Sequence, residues 1–385
     1  MNDCMHSGVV SVYSMSRTIK LDHEKSMIRN GNNSDSNRIA YYDNIKGFLI
    51  LLVVVGHFAS PLSSSKMVHS MIDYIFLFHM PFFIFVSGLF GSFDRSGSDS
   101  KWTKKIWNYF LIYCFMFFFI CLALAISGVN TTFNPFSAWG GSIAWYMMCM
   151  VWFTLLAPFV YSSKPLPMML FLVGLSLLSG LYPIGDTLTL SRTIVFLPVF
   201  AIGMYISSEN LLHFRTLSKV RKLSNGFKVL FIFVTAGSLF TLYKLPLEID
   251  IIIKGLSKGR TSYQEIVSDS GLDMNWQYLI AGRLIIYLVA AALMFIILIA
   301  CPIKRIPFLN QAGENSLRIY FYHAPIYYIA EYTGIVEIIA KPFPQEYWCI
   351  LSIALSIFVT WVLLKASFLD KLFNLTKNIA ERLRI

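Results

Sequence analysis

Charge is what this sequence has least of. Only 14% of its 385 residues are Asp, Glu, Lys or Arg, against about 25% in soluble globular domains. Length alone suggests two or three soluble domains, but so few charges cannot coat their surfaces. Closely spaced cysteine pairs are missing as well. Cys4, Cys114, Cys121, Cys149, Cys301 and Cys349 show no Cys-x-x-Cys spacing, and five of them lie in or beside apolar runs. They read as small buried hydrophobes, not as a disulfide framework or a metal set, and no metal is expected. Residues 1–37 lack the apolar core and small-residue cleavage site of a signal peptide and read as a disordered cytoplasmic tail, with Met27 an alternative start. No internal repeat of the kind many transporters carry is evident.

What is there is apolar. Hydrophobic residues make up 56% of the chain and aromatics 16%, and they fall in runs long enough to span a bilayer. A helix needs roughly 20 residues to cross the hydrocarbon, at about 1.5 Å each. The candidate spans are 45–61, 68–90, 106–128, 142–161, 166–182, 192–208, 227–243, 277–301, 316–339 and 347–365. No charge occurs between Ile106 and Ser163, and the polar stretch 130–142, with Pro135 and Gly140-Gly141, divides that run into a hairpin. The expected fold is an all-α integral membrane protein of about ten transmembrane helices with both termini cytoplasmic. Its membrane domain covers 38–366, and a basic tail follows at 367–385.

The basic residues test this topology. With the N-terminus inside, 24 of the 32 Lys and Arg fall on the cytoplasmic side, seven on the other, and Arg283 within a span. This follows the positive-inside rule and accounts for the net charge of +11 without nucleic acid. The one long loop, 244–276, lies outside and mixes both signs of charge; its length suggests a lid or an acceptor-binding loop.

Ionisable groups inside spans are costly and are functional candidates by default. His57 ends the first span and Lys46 opens it, eleven residues apart or about 16 Å along a helix. Lys46 therefore sits at the cytoplasmic mouth and His57 lies deep. Gly56 beside it leaves room for a substrate or a neighbouring helix. An imidazole in apolar protein is held neutral and can act as a base; the alternative is a hydrogen bond to another helix. His79 lies mid-span near Pro81, which frees a backbone carbonyl, and either serves the acceptor or makes a structural bond. Arg283, a permanent cation within the eighth span, either pairs with Glu331 or Asp73 or stabilises an oxyanion or an acidic sugar.

Four segments carry a resemblance. Arg38-x-x-x-Tyr42-Asp43-x-x-Lys46-Gly47 leads to Gly56-His57, so ten residues separate Lys46 from His57. Phe78-His79-Met80-Pro81-Phe82-Phe83-Ile84-Phe85-Val86-Ser87-Gly88 fills the second span, and Trp145-Tyr146 heads the fourth. Gly313-x-x-Ser316-Leu317-x-Ile319-Tyr320-x-x-His323 opens the ninth. In this order they resemble membrane acyltransferase family 3, most of all its branch related to fucose 4-O-acetylases. The likeness runs from about Arg38 to residue 365. Where that family often has an arginine-rich stretch with a proline, this chain reads Lys101-Trp-Thr-Lys104-Lys105, which positive-inside topology already explains.

The resemblance implies a multi-pass protein of the bacterial plasma membrane. It would transfer an acyl group, usually acetyl, from cytoplasmic acyl-CoA to a hydroxyl of a cell-surface or lipid-linked glycan. His57 would deprotonate the acceptor or carry the acyl group itself. His323 and Arg283 are the other catalytic candidates. Lys46 and Arg38 would hold acetyl-CoA, Lys46 as a point charge on a phosphate or else merely snorkelling to the interface. His79, Trp145 and Glu331 are the acceptor-binding candidates, Glu331 also being the candidate counter-ion of Arg283. A transporter or flippase for a glycan or small polar solute is the competing reading, since buried His, Arg and Glu also suit a substrate pathway.

Overall fold

Backbone polar groups cannot be left open in hydrocarbon, so apolar runs of this length must close their hydrogen bonds within helices. In the computed structural model they do so. The structure describes residues 40–91, 99–129, 143–185, 187–366 and 373, and no strand occurs among them. In chain order the helices are α1 (Ala40–Ala59), α2 (Lys66–Leu89), α3 (Asp99–Ile126), α4 (Trp145–Ser162), α5 (Pro165–Leu178), α6 (Leu190–Ile206), α7 (Ser208–Thr216) and α8 (Ser218–Lys244). They continue with α9 (Leu247–Lys258), α10 (Tyr263–Ser270), α11 (Trp276–Ala300), α12 (Pro307–Glu314), α13 (Ser316–Tyr332), α14 (Ile335–Ala340) and α15 (Trp348–Lys365). Eight segments are long and apolar enough to cross a membrane: α1, α2, α3, α4, α6, α8, α11 and α15, some with a flanking turn. A shorter apolar helix covers Pro165–Leu181.

Helices α1 and α2 form the centre. Against α1 pack α2, α12, α13 and α15, and against α2 pack α6, α8, α9 and α11. Lipid tails are as apolar as leucine, so helix association here rests on close packing and on polar ties. Both occur at the start of α1. The Asn44 amide donates to the carbonyls of Pro302 (3.1 Å) and Lys304 (2.8 Å) and accepts from the Ile306 N–H at 3.2 Å. Asn310 donates to the Ala40 carbonyl at 3.2 Å, and the Tyr41 hydroxyl to Leu298 at 2.7 Å. Between these ties the backbones of α1 and α12 touch. A Cβ on Gly47 would overlap the Leu309 carbonyl, and one on Gly313 the Asp43 carbonyl. Two glycines quoted from separate sequence motifs thus meet at one helix crossing.

One expectation is corrected. The expected span 316–339 is not continuous: α13 stops at Tyr332, Gly334 takes a left-handed turn (φ 67°), and the separate helix α14 follows. Segment 244–276, expected as a lid or acceptor-binding loop, carries the two helices α9 and α10. A capping box between Ser262 and Glu265 starts α10, satisfying two open N–H groups reciprocally. Ile252, Leu256, Tyr263, Ile266 and Leu279 give the segment a small core shared with α11. The hairpin turn expected at 130–142, the tail 1–37 with Arg38, and most of 367–385 lie outside the described residues.

Candidate active site

Three histidines from three helices are drawn together. His57 stands in the last turn of α1, His79 in α2 beside Pro81, and His323 in α13. The His57 and His323 rings lie 5.4 Å apart, centroid to centroid, and Tyr327 packs 5.1 Å from His57. His79 and His323 are bound alike, each Nδ1–H donating to the carbonyl one turn back: Ile75 at 2.7 Å and Ile319 at 3.0 Å. That bond leaves the lone pair at Nε2. His323 is fully buried, and its Nε2 has no hydrogen-bond partner among the described residues. Proline 81 is not the source of the His79 bond, because a proline frees the carbonyl four residues back, here Leu77 and not Ile75. Gly56 accommodates a neighbouring helix: an added Cβ would meet the Phe76 ring at 2.8 Å.

Two cavities flank this cluster. One, about 250 Å³, is lined by His57, Ser60, Phe76, His79, Trp145, Arg192, Ser257, Lys258, Arg260 and others. The second, about 160 Å³, holds Lys46, Ser87, Tyr109, Tyr146 and Ser316 in its wall. Val53, Met80 and Tyr320 line both, so the space reaching towards Lys46 and the one beside α9 share these side chains as a common wall. The partition is held: the Tyr320 hydroxyl donates to the Ile143 carbonyl. Tyr146 donates to the Ser87 hydroxyl at 2.7 Å, and Ser87 in turn donates to the Phe83 carbonyl at 3.0 Å.

Of the residues expected from sequence, His57, His79 and Trp145 line the larger cavity, and His323 backs His57. Lys46 lines the smaller one, its ammonium 2.6 Å from Asp43. Glu331 does not line either; it is hydrogen-bonded to Tyr327, which also bonds Ser60. Arg283 does not make the expected pairing with Glu331 or Asp73, and it lines neither cavity. Its guanidinium donates to the Ser176 carbonyl (3.0 Å) and the Ser179 hydroxyl (3.4 Å) and lies 4.6 Å over the Tyr263 ring. A cation beside the last carbonyls of a helix is well placed, and Arg283 ties α5, α10 and α11 together. Asp73 instead belongs to an ion cluster with His69, Asp250 and Lys254. His69 lies 2.8 Å from Asp250, and the Lys254 ammonium sits 3.1 Å from Asp250 and 3.3 Å from Asp73. His69, Asp73 and Asp250 approach closely enough to hold a metal ion, but the ammonium already neutralises that place and fastens α9 to α2. Burial opposes ionisation of Asp250, yet its hydrogen bonds with Asp73, His69 and Lys254 outweigh burial and hold its carboxyl below the usual range.

Sequence reasoning passed over Arg192, Lys258 and Arg260. Arg192 is buried at the start of α6, its guanidinium 4.6 Å over Trp145, which itself stacks on Phe196. A cation heading an apolar run, and a glycine between two basic residues, were the available signals. Burial, followed by the nearby Lys254 and Arg260 charges, pushes the Lys258 ammonium down from its ordinary pKa.

The profile of the family described as an acyltransferase domain, acyltransferase family 3, matches residues 39–366. The chain belongs to this family. The match takes in both cavities and every helix from α1 to α15. The protein is therefore a membrane acyltransferase with multiple apolar helices. No curated protein and no solved structure matches the chain.

Proposed function

We propose that this acyltransferase moves an acetyl group from cytoplasmic acetyl-CoA to a hydroxyl of a cell-surface or lipid-linked glycan, in a bacterial plasma membrane. The observation that carries the reading is the seating of His57 and His79 in a cavity that shares Val53, Met80 and Tyr320 with the one lined by Lys46. With α5 and α13 also crossing, there are ten spans, both termini are cytoplasmic, and Lys46 faces the cytosol. The donor then enters from the Lys46 side, where the ammonium holds a CoA phosphate, and the acceptor from the side of α9. The Phe78–Gly88 segment supports a place near the fucose 4-O-acetylase branch.

In the reaction, the neutral His57 imidazole takes the proton of the acceptor hydroxyl as its oxygen attacks the thioester carbonyl. A C–O bond forms, the C–S bond breaks, and the imidazolium returns the proton to the departing CoA thiolate. His323, fixed through Ile319 with its ring 5.4 Å from His57 and its Nε2 unpartnered among the described residues, takes an N–H of His57 as the reaction begins and so sets which nitrogen meets the acceptor, the orienting role familiar from catalytic triads. His79 binds the acceptor hydroxyl from α2.

The test is transfer of labelled acetyl from acetyl-CoA to an undecaprenyl-linked oligosaccharide by the full chain in liposomes. His57→Ala is expected to lower the rate about 10²- to 10⁴-fold, the range for a positioned base. Full transfer by that variant defeats the assigned role. Acceptor flux that needs no acetyl-CoA would speak for a transporter instead.

A further inference from the structure

The larger cavity is strongly cationic. Arg192, Lys258 and Arg260 all line it, and no carboxylate does among the described residues. Asp73, whose charge acts on Lys258, and Asp250 are engaged with Lys254 and His69, and Glu331 is bonded to Tyr327. These cations are also out of proportion to their side of the protein. In the topology read from sequence only seven Lys and Arg face outward, and three of those seven converge here.

Their convergence is built. Gly259 ends α9 in the left-handed region (φ 62°), and its Cβ position lies 2.8 Å from Val195 of α6, so no side chain fits. The Ser191 hydroxyl donates to the Gly259 carbonyl at 2.9 Å. That single bond ties the residue before Arg192 to the residue between Lys258 and Arg260, bringing cations from two distant segments to one wall. Each of two cations is also set against an aromatic face, Arg192 on Trp145 and Lys258 5.6 Å from the centre of Phe76. An aromatic face holds a guanidinium or ammonium in place without neutralising it.

We propose that the acceptor is an anionic saccharide, carrying a carboxylate or a phosphate, and that Arg192, Lys258 and Arg260 grip that group while its hydroxyl is presented to His57. This rests on the acyl-transfer reading and on the donor entering from the Lys46 side. Arg192 and Arg260 suit a planar or tetrahedral oxyanion through paired N–H donors, and Lys258 adds a point charge. The cations bind the acceptor in ground and transition states alike, so their loss raises KM more than it lowers kcat.

The experiment is equilibrium binding to the full chain in nanodiscs, by calorimetry, with three probes: tetragalacturonate (sugar carboxylates), undecaprenyl phosphoglucose (a lipid-linked phosphate) and neutral chitotetraose. At least one anionic probe is expected to bind about tenfold more tightly than chitotetraose, with the advantage shrinking at about 0.5 M salt. Which anionic probe wins identifies the source of the charge. Arg192→Gln and Arg260→Glu should each erase the preference, and Arg260→Lys should keep most of it, a rescue that misfolding would not allow. Equal binding of all three probes, or no binding of any, overturns the proposal. So does displacement of the bound anion by adenosine 3′,5′-bisphosphate, which would assign the cations to the donor. Acetyl transfer is read separately on the same samples: charge preference without any transfer strikes at the acyltransferase reaction and not at the anion site.

Discussion

Gly47→Ala tests the helix crossing on which the Lys46 end of the protein depends. The new Cβ would fall on the Leu309 carbonyl, with the Leu309 Cα only 3.0 Å away. These are backbone atoms, and no rotamer moves them aside, so α1 and α12 must separate. Overpacking costs about 1–3 kcal/mol, and a backbone obstacle belongs near the top of that range. Ala in place of Gly returns up to about 1 kcal/mol of helix propensity. The net loss should be about 2 kcal/mol. Gly313→Ala strikes the same crossing from the other helix, against Asp43, and should cost a similar amount. Once one methyl has parted the helices, the second needs little more room. The double variant should therefore lose about 1–2 kcal/mol less than the sum of the singles. Unfolding of the purified protein in detergent measures all three. The shift also moves Lys46, so the KM for the proposed donor, acetyl-CoA, should rise while kcat holds. Gly47→Ala within about 0.5 kcal/mol of the parent, or strict additivity in the double variant, would refute the contact.

Three further outcomes follow from the geometry. Lys258 has a lowered pKa through burial and the Lys254, Arg260 and Arg192 charges, opposed by Asp73; it loses its charge earlier than an ordinary lysine as pH rises. Affinity for the proposed anionic acceptor should thus fall on the alkaline side at a pH below that at which an ordinary lysine titrates, and Lys258→Arg, which does not titrate there, should flatten that limb. Arg283→Met should remove a charge-assisted hydrogen bond to the Ser176 carbonyl, at about 1.5–3 kcal/mol, and lose the contact with Tyr263, about 0.5–2 kcal/mol; a lowered Tm with kcat retained per folded molecule supports a structural tie, and the reverse supports a catalytic one. Tyr327→Phe keeps the ring beside His57 but loses the bonds to Glu331 and Ser60. Steady-state kinetics should show kcat down about tenfold or less, with the acceptor KM unchanged, as expected when a base is less well oriented.

Much of the architecture is a matter of local chemistry and was legible in the linear chain. A run such as Phe110–Leu124 has nowhere to place its backbone N–H groups except in a helix, whatever surrounds it. The segment boundaries, the distance from Lys46 to His57 and the bias of basic residues all follow from counting. His57, His79 and His323 stood out because an imidazole in an apolar run is costly wherever the run packs. The short or interrupted elements were harder. The one local sign that the span 316–339 breaks is Gly334, a residue suited to ending a helix in a left-handed turn but also tolerated inside one.

Partnership was the other thing that counting could not supply. Arg283 is as conspicuous in sequence as His57, yet its hydrogen-bond partners are the Ser176 carbonyl and the Ser179 hydroxyl, more than a hundred residues away, and a carbonyl leaves no mark on composition. Arg192, Lys258 and Arg260 look like ordinary interface charges until the Ser191–Gly259 bond brings their segments together. A residue's cost in the membrane is set by its own chemistry and can be read from the chain. What offsets that cost is set by whichever helix lies opposite, and only the folded arrangement decides it.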